Sequence, residues 1–397
     1  MSILLKRDTK VFIEKPAVAT ATPAAYWEIP VLDGFTFTQG NTTTEVTLSE
    51  MDDSGGNSRR GRRMFNDALD PVEWSISTYI RPFKVPSTGP GTTSLDTGHH
   101  AVEEALWAHF VGTGALGGPT NAWDGTIANL TSDGTDLNVS FANNNKSTLG
   151  TFNMYFVMGA PNDTTGPFNA TATGPNRVEI YKLTGCTVNE ATINFDVEGI
   201  AQIDWSGNAT TLTSEASTPF NQTTDVETGG VRGITATDNY IRNKLTQLTV
   251  APAAGAPGSW ETGYNFTLTG GSITFSNNIT YLTPETLGEV NTPLGHITGN
   301  VNIAGNFTCY LTPGSVGDSG DFLDDVIANS DVVTNEFDLA FSIGGANAPK
   351  LVINLDHCHL EIPQITTDDV IGLDINFHAL PDGITGNDEA DLVYTGE

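Results

Sequence analysis

The stretch Gly317-Asp318-Ser319-Gly320-Asp321 carries the Gly-Asp-Ser-Gly order that surrounds the nucleophile of chymotrypsin-like hydrolases. Acyl transfer at such a serine needs an imidazole base, a carboxylate to orient it and an oxyanion hole. The seven histidines bring no companion signature, and the apolar stripe that follows makes Ser319 a helix cap instead. His357 and His359 flank Cys358. On a regular strand the two imidazoles share a face, so with His378 they could meet a metal. The acidic runs at 50–56 and 321–325 do not match the spacing of a calcium-binding loop. No carboxylate pair stands out among the 47 acids as a glycosidase couple. The expectation is a chain with no catalytic residues, no cofactor and no metal.

One basic cluster is more informative. Arg59, Arg60, Arg62 and Arg63, running on to Met64 and Phe65, lie in a Gly-rich stretch between two strand-like segments, at the tip of a long hairpin. Contact with nucleic acid is one reading. The other is docking on an acidic surface, which every copy of this chain supplies: the formal charge is −30. Residues 1–85 hold 10 Lys+Arg and 11 Asp+Glu, leaving 7 and 36 for the remainder. Such a balance excludes a protein that grips phosphates over a broad surface. A basic arm on an acidic body suits heterologous self-association.

The elements that position these residues are β. The chain is rich in Gly, Thr, Asn and Asp, with 38% hydrophobic and 9% aromatic residues, a mixture of strand and turn formers. Three cysteines, Cys186, Cys309 and Cys358, cannot all pair, and their spacing fits no zinc site. No run approaches the ~18 apolar residues of a spanning helix. The opening MSILLKRDTKVFIEKP meets charges too soon to read as a signal peptide, so a soluble protein made in the cytosol is expected.

The chain also repeats itself. TKVFIE at 9–14 lies over TQLTVA at 246–251, FTFTQG at 35–40 over ITFSNN at 273–278, and SISTYIRP at 75–82 over NFTCYLTP at 306–313. KLTGCTVNEATINF at 182–195 lies over NLDHCHLEIPQITT at 354–367, with Ile203 over Ile375 and Trp205 over Phe377. Gly185 and Thr187 then occupy the places of His357 and His359, so the framework does not need the imidazoles. Cys186 and Cys358 fall at equivalent places in separate modules, which makes them buried free thiols. The first copy is longer by Gly/Pro/Ser/Thr-rich loops between 83 and 178. A helix is predicted in each copy, over 100–112 with Val102, Leu106 and Phe110 inward, and over 319–330 with Phe322, Leu323, Val326 and Ile327 forming one stripe. The aperiodic polar stretch 206–233 separates the copies, giving modules at 1–215 and 216–397. The fold class is mainly β: two tandem sandwich or barrel modules, each with a short flanking helix.

The residues from DGFTFTQGNTTTEVTLSEM through SRRGRRMF to EWSISTYIRPF, with EALWAHF and GCTVNEATINFDVEGIAQIDWSG, resemble the tail tube proteins of long-tailed phages over about 5–207, and more faintly in the second copy. The resemblance implies a structural virion protein whose sheet curls with its siblings into a ring. Rings stack into the conduit for the genome, and the hairpin loop with Arg59, Arg60, Arg62, Arg63, Met64 and Phe65 reaches the neighbouring ring. It implies assembly in the host cytoplasm and partners beyond the chain itself: tape measure, terminator and baseplate proteins. DNA would transit without specific binding, and no membrane is involved. Two fused modules imply three chains per pseudo-sixfold ring, with a ring of six chains as the other possibility. A carbohydrate- or receptor-binding β-module, with Trp123 and Trp260 as sugar platforms, is the competing reading.

Overall fold

The computed structural model describes residues 4–14, 26–46, 55, 63–85, 98–115, 123, 127–141, 149–159, 166–171, 178–222, 225–226, 234–313, 315–330, 336–367, 369–383, 386 and 388–397. The first half holds β1 (Thr9–Glu14), β2 (Tyr26–Ile29), β3 (Thr36–Glu45), β4 (Met64–Tyr79), β5 (Pro82–Val85) and β6 (Gly98–Ala101). Helix α1 (Glu104–Val111) follows, then β7 (Leu130–Ser132), β8 (Leu137–Ser140) and β9 (Phe152–Met158). The half closes with β10 (Glu179–Asp196), β11 (Gln202–Ala209) and β12 (Thr211–Glu215). The second half runs β13 (Gln247–Pro252), β14 (Tyr264–Asn265), β15 (Leu268–Ser276), β16 (Thr280–Leu282), β17 (Gly295–Ile297) and β18 (Asn302–Tyr310). After α2 (Ser319–Ala328) come β19 (Phe337–Ile343), β20 (Lys350–Leu360), β21 (Gln364–Thr367), β22 (Ile371–Ala379) and β23 (Asp391–Thr395).

The fold is mainly β, and every strand pair is antiparallel. In the first half the strands pair in the order β2-β1-β9-β10-β11-β4-β3. In the second half the order is β14-β13-β19-β20-β22-β18-β15. Strand for strand, one topology occurs twice. The agreement extends to a single irregularity. β10 slips against β9 between Leu183 and Cys186, and β20 slips against β19 at Cys358. The residue before each cysteine has positive φ: Gly185 at +67° and His357 at +54°. The bulge bends the long strand so that its first part joins one layer and its last part the other, which closes each sandwich over its core.

Alternation fixes the layers. β11 alternates strictly between half-buried and buried, with Ile203, Trp205, Gly207 and Ala209 inward. β19 repeats the pattern with Phe337, Leu339, Phe341 and Ile343. Two glycines record how aromatic bulk is fitted beneath these sheets. Gly207 on β11 pairs with Trp74 on β4, and a Cβ there would lie 2.6 Å from the indole. In the second half the order is exchanged: Gly305 on β18 pairs with Phe377 on β22, and its Cβ would lie 2.7 Å from the ring.

The main core is shared by the two halves, and a second cluster around Phe12, Tyr155 and Phe220 lies within the first. Trp107 on α1 packs edge-on against Trp205 at 4.8 Å and against Phe275 of the second half at 5.5 Å. Its indole N–H donates to the Tyr394 hydroxyl at 2.7 Å. Every residue of α1 is buried. The helix starts at Glu104, later than the periodicity predicts, so Val102 precedes it. Its last carbonyls are met by side chains: Asn129 donates to Val111 at 2.7 Å and Asn277 to Phe110 at 3.0 Å. In α2, Phe322, Leu323 and Val326 are buried, while Ile327 leaves the predicted stripe and is exposed.

Parts of the chain that read as loop are strand. Residues 206–209 belong to β11 and 211–215 to β12, which pairs with the first part of β10. Within the longer interval of the first copy, β7 and β8 form a hairpin whose outer strand pairs with β23, Leu392 opposite Val139. The first half thus supplies edge strands to a sheet of the second.

Candidate functional site

One layer runs through both halves: β3-β4-β11-β10-β15-β18-β22-β21. The halves join at β10 and β15, where seven residue pairs run from Glu190–Ser276 to Asp196–Gly270, with Ile193 opposite Ile273. One face of this sheet covers the core. The other carries Glu73, Ser75, Ser77, Asp204, Ser206, Glu190, Thr192, Ser272, Thr274, Asn306, Thr308, Asp374 and Asn376. These short polar groups bond to one another across the strands. Ser77 donates to Asp204 at 2.6 Å, Thr192 and Thr274 meet at 3.1 Å, Ser272 donates to Asn306 at 3.0 Å, and Asn306 donates to Asp374 at 3.2 Å. Neither Lys nor Arg occurs in β3, β4, β11, β15, β18, β21, β22 or residues 187–196 of β10. The face is mainly a hydroxyl, amide and carboxylate surface, with His378 toward one end of β22 and no Lys or Arg to hold a phosphate.

The two ends of this layer are open. Among the described residues β3 has β4 as its one strand partner, and β21 has β22. Exposed apolar side chains gather around β21 and α2: Ile362, Ile365, Val370, Ile371, Val316 and Ile327. The registers of the two halves put Ile365 at the place of Ile193 and Phe37 at the place of Ile273. Ile193 is fully buried, whereas Ile365 is 54% exposed. These registers also correct the sequence alignment by two residues: Phe37 matches Ile273 where Phe35 was expected, and Trp205 matches Ile375 where Phe377 was expected. A shift of two keeps every side chain on its face, so alternation could not detect it.

Of the predicted contact loop, Arg59, Arg60 and Arg62 lie outside the described residues. Arg63 precedes β4 and Met64 and Phe65 open it; all three are exposed, Met64 at 57% and Phe65 at 56%. They stand on an arm of β3 and β4 that extends past the last pairing with β11, Val72 with Ala209. Asn291 of the second half braces that arm, accepting from Leu69 N–H and donating to the Asp67 carbonyl at 2.8 and 3.0 Å.

The structure separates the remaining candidates. Ser319 is the first helical residue, with Asp318 at the cap position. Its hydroxyl donates to the Tyr310 carbonyl at 2.8 Å and accepts from Thr312 N–H at 2.9 Å, tying helix to strand. The bulge turns His357 toward Glu336, 3.5 Å away, while His359 and His378 face each other across β20 and β22. Among the described residues no three His, Cys, Asp or Glu side chains are grouped to hold a metal. Cys186, Cys309 and Cys358 are free and buried, and burial pushes their thiols up. Trp123, expected as an exposed platform, is buried and donates to Glu104 at 3.0 Å. Trp260 is partly buried against Phe337.

Sequence reasoning missed a buried polar group between the halves. Glu103 is enclosed below α1 beside Tyr394, Arg81 and Glu104. Its Oε2 accepts from Arg81 N–H at 3.3 Å, and its Oε1 has no hydrogen-bond partner among the described residues. Burial raises its pKa from 4.5 to about 8. Beside it, Glu104 bonds His100 Nδ1 at 3.0 Å. Arg81 was also missed. Its guanidinium reaches Asn239 and the carbonyls of Ile234 and Ala236 at 2.9–3.2 Å and lies over the Tyr240 ring at 4.4 Å.

Comparison with known proteins gives the following. The family described as "Phage tail tube protein" matches residues 87–379. The tail tube protein pb6 of Escherichia phage T5 is 30% identical over 404 residues, covering 100% of this chain and 77% of that protein. A chain in the cryo-EM structure of the anti-feeding prophage baseplate, 6-fold symmetrised, is 11% identical with a TM-score of 0.25. That match covers 34% of this chain and 88% of the other, and at that level it says nothing about this molecule.

Proposed function

The chain belongs to the phage tail tube proteins, and on that footing we propose that three copies close a ring of six β modules, 1–215 and 216–397 from each. Rings stack into the tail tube of the virion, and the genome passes through its lumen. The continuous polar layer lines the lumen in this reading. DNA slides past a wall that offers mainly hydroxyls, amides and carboxylates and no Lys or Arg, so it meets weak repulsion and no binding site. The role is structural, with no catalytic step. The tape measure, terminator and baseplate proteins complete the set of partners, and assembly takes place in the host cytoplasm.

One observation carries the ring. The β10–β15 junction inside the chain is a worked example of how two modules meet, and β21 and β3 are the same two elements left open. A second copy places its β3 along β21, with Phe37 opposite Ile365 as Ile273 lies opposite Ile193. The apolar side chains around β21 and α2 then leave water. An open heterologous edge of this kind closes when the rotation per copy divides a full turn.

The test is a cysteine pair, Ile365→Cys with Phe37→Cys, oxidised in assembled tubes. A ladder of cross-linked species that ends at three chains supports the ring. A ladder ending at six changes the ring size, and no cross-link at all refutes the edge pairing. Electron microscopy of the purified protein distinguishes this reading from glycan binding, since only the former gives hollow tubes.

A further inference from the structure

The tail tube reading leaves open what the projecting arm lands on. Rings that stack head to tail bring the end of the chain bearing Met64 against the opposite end. That opposite end is identifiable, because β4 is a single strand of 16 residues, roughly 50 Å long at ~3.3 Å per residue. At its far end Tyr79 packs edge-on against Tyr240 at 5.6 Å.

The surface there is a strap, residues 234–246, that crosses from one half to the other. Arg81 holds its beginning, as described above, and Ile200 pairs with Arg242 further along. Between the strap and the loop 344–349 lies a cleft of about 530 Å³, lined among others by Tyr240, Arg242, Lys244 and Leu245. Lys350 closes the loop side, its ammonium donating to the Ala346 carbonyl at 3.2 Å. Residues 216–397 contain four cations in all, Arg232, Arg242, Lys244 and Lys350. Three of the four stand at this one cleft. Arg242 and Lys244 are exposed and have no ion-pair partner among the described residues. On a chain of charge −30 such a concentration of positive charge is a local exception. Apolar surface adjoins it: Leu245 is 55% exposed, and Tyr240, Val197 and Ile200 are exposed nearby. Beside Lys244, the end of β10 and the turn after it add the opposite sign with Asp196 and Glu198, both exposed.

We propose that this cleft is the socket for the β3–β4 arm of a second copy in the adjacent ring. The arm has the complementary composition. The sequence beyond β3 carries Glu50, Asp52 and Asp53. These carboxylates face Arg242 and Lys244. The arginines on the returning side, ending at Arg63, face Asp196 and Glu198. Met64 and Phe65 cover Tyr240, Leu245 and Val197. Two signs of charge in fixed order select one orientation of stacking, which a single-signed contact does not.

The inference rests on the ring reading, and the two are separated by measuring rings and tubes independently. The variant Arg242→Glu with Lys244→Glu is mixed into solution assembly, ring mass is read by native mass spectrometry, and tubes are read by sedimentation. The expected result is rings of unchanged mass and a critical concentration for tubes raised about tenfold or more, from several weak charge pairs acting together in each ring. Adding Glu50→Lys, Asp52→Lys and Asp53→Lys to the same chain restores tubes. Arg242→Gln with Lys244→Gln, which inverts no charge, shows a smaller loss in the same direction. Tubes at the wild-type concentration, or no rescue by the exchanged charges, overturn the socket and leave the ring reading standing. Loss of affinity for a short DNA duplex without any loss of tubes also overturns it, since the cleft would then serve phosphates. If the wild-type chain forms no rings, the ring reading fails and the socket fails with it.

Discussion

Replacing Glu103 by Gln changes how stability depends on pH. The carboxyl is buried under α1 with Arg81, Tyr394 and Glu104 around it, and the Glu104 carboxylate is shared with His100. Arg81 and the nearby donors pull its pKa down, but desolvation exceeds them, and the value rises from 4.5 to about 8. The unfolded chain releases this proton near pH 4.5 and the folded chain retains it to about 8. Between these limits the folded state holds this extra proton, so the contribution of Glu103 to stability falls as pH rises. The slope is about 1.4 kcal/mol per pH unit. The loss reaches about 3 kcal/mol by neutral pH and about 5 kcal/mol above the upper limit. Below pH 4.5 the contribution is fully present. Gln mimics the protonated form and does not titrate, so the variant keeps its stability where the wild type loses it. Urea unfolding of both chains at pH 5, 6, 7 and 8 under non-assembling conditions measures the difference, and all other titrating groups cancel in the comparison. The two curves should lie within about 1 kcal/mol of each other at pH 5 and diverge steadily in favour of the variant. Parallel curves would show that the Glu103 carboxyl ionises normally in the folded chain, and the argument from its burial would be wrong.

Other outcomes follow from the same geometry. Arg59, Arg60, Arg62 and Arg63 replaced together by Glu should leave the circular dichroism spectrum unchanged and abolish tubes in sedimentation, because the arm lies apart from the core. Arg81→Ala removes the side-chain hydrogen bonds to Asn239 and to the carbonyls of Ile234 and Ala236. It should cost about 2–4 kcal/mol in unfolding experiments and raise hydrogen exchange across 234–246 before it affects either sheet. Asp204→Lys with Asp374→Lys places cations on the polar layer. Tubes should form at normal yield, while DNA release from virions carrying the variant slows, as read by dye uptake on ejection.

Much of the fold was legible because its cause is local. Ile193, Phe195, Ile203 and Trp205 alternate, and a half-buried strand is the simplest structure that uses such alternation. The repeat was legible through the same residues and through Cys186 and Cys358, which mark one bulge twice. Other features depend on distant partners and left no local trace. β7 and β8 read as loop, since Leu137 and Val139 gain their meaning only from Leu392 and Tyr394 on β23. Arg81 reads as a surface cation until the strap supplies the carbonyls it holds. The polar layer was visible as one of two faces, but nothing in a single strand says which face is special. The signal lay across strands: the polar positions of the whole layer omit Lys and Arg. The arginine cluster stands out in the sequence by charge alone, whereas a surface for it to meet can be proposed only once the residues at the far end of β4 are known.

The exchange of bulk between Trp74 over Gly207 and Phe377 over Gly305 bears on how the two repeats have diverged. A crossover that copied β4 of one repeat into the other would set an indole above Phe377. The reciprocal product would leave a glycine facing a glycine, with an empty space between them. Either hybrid would lose the fit of ring over glycine that both halves show, so each half is committed to its own solution for filling the same space.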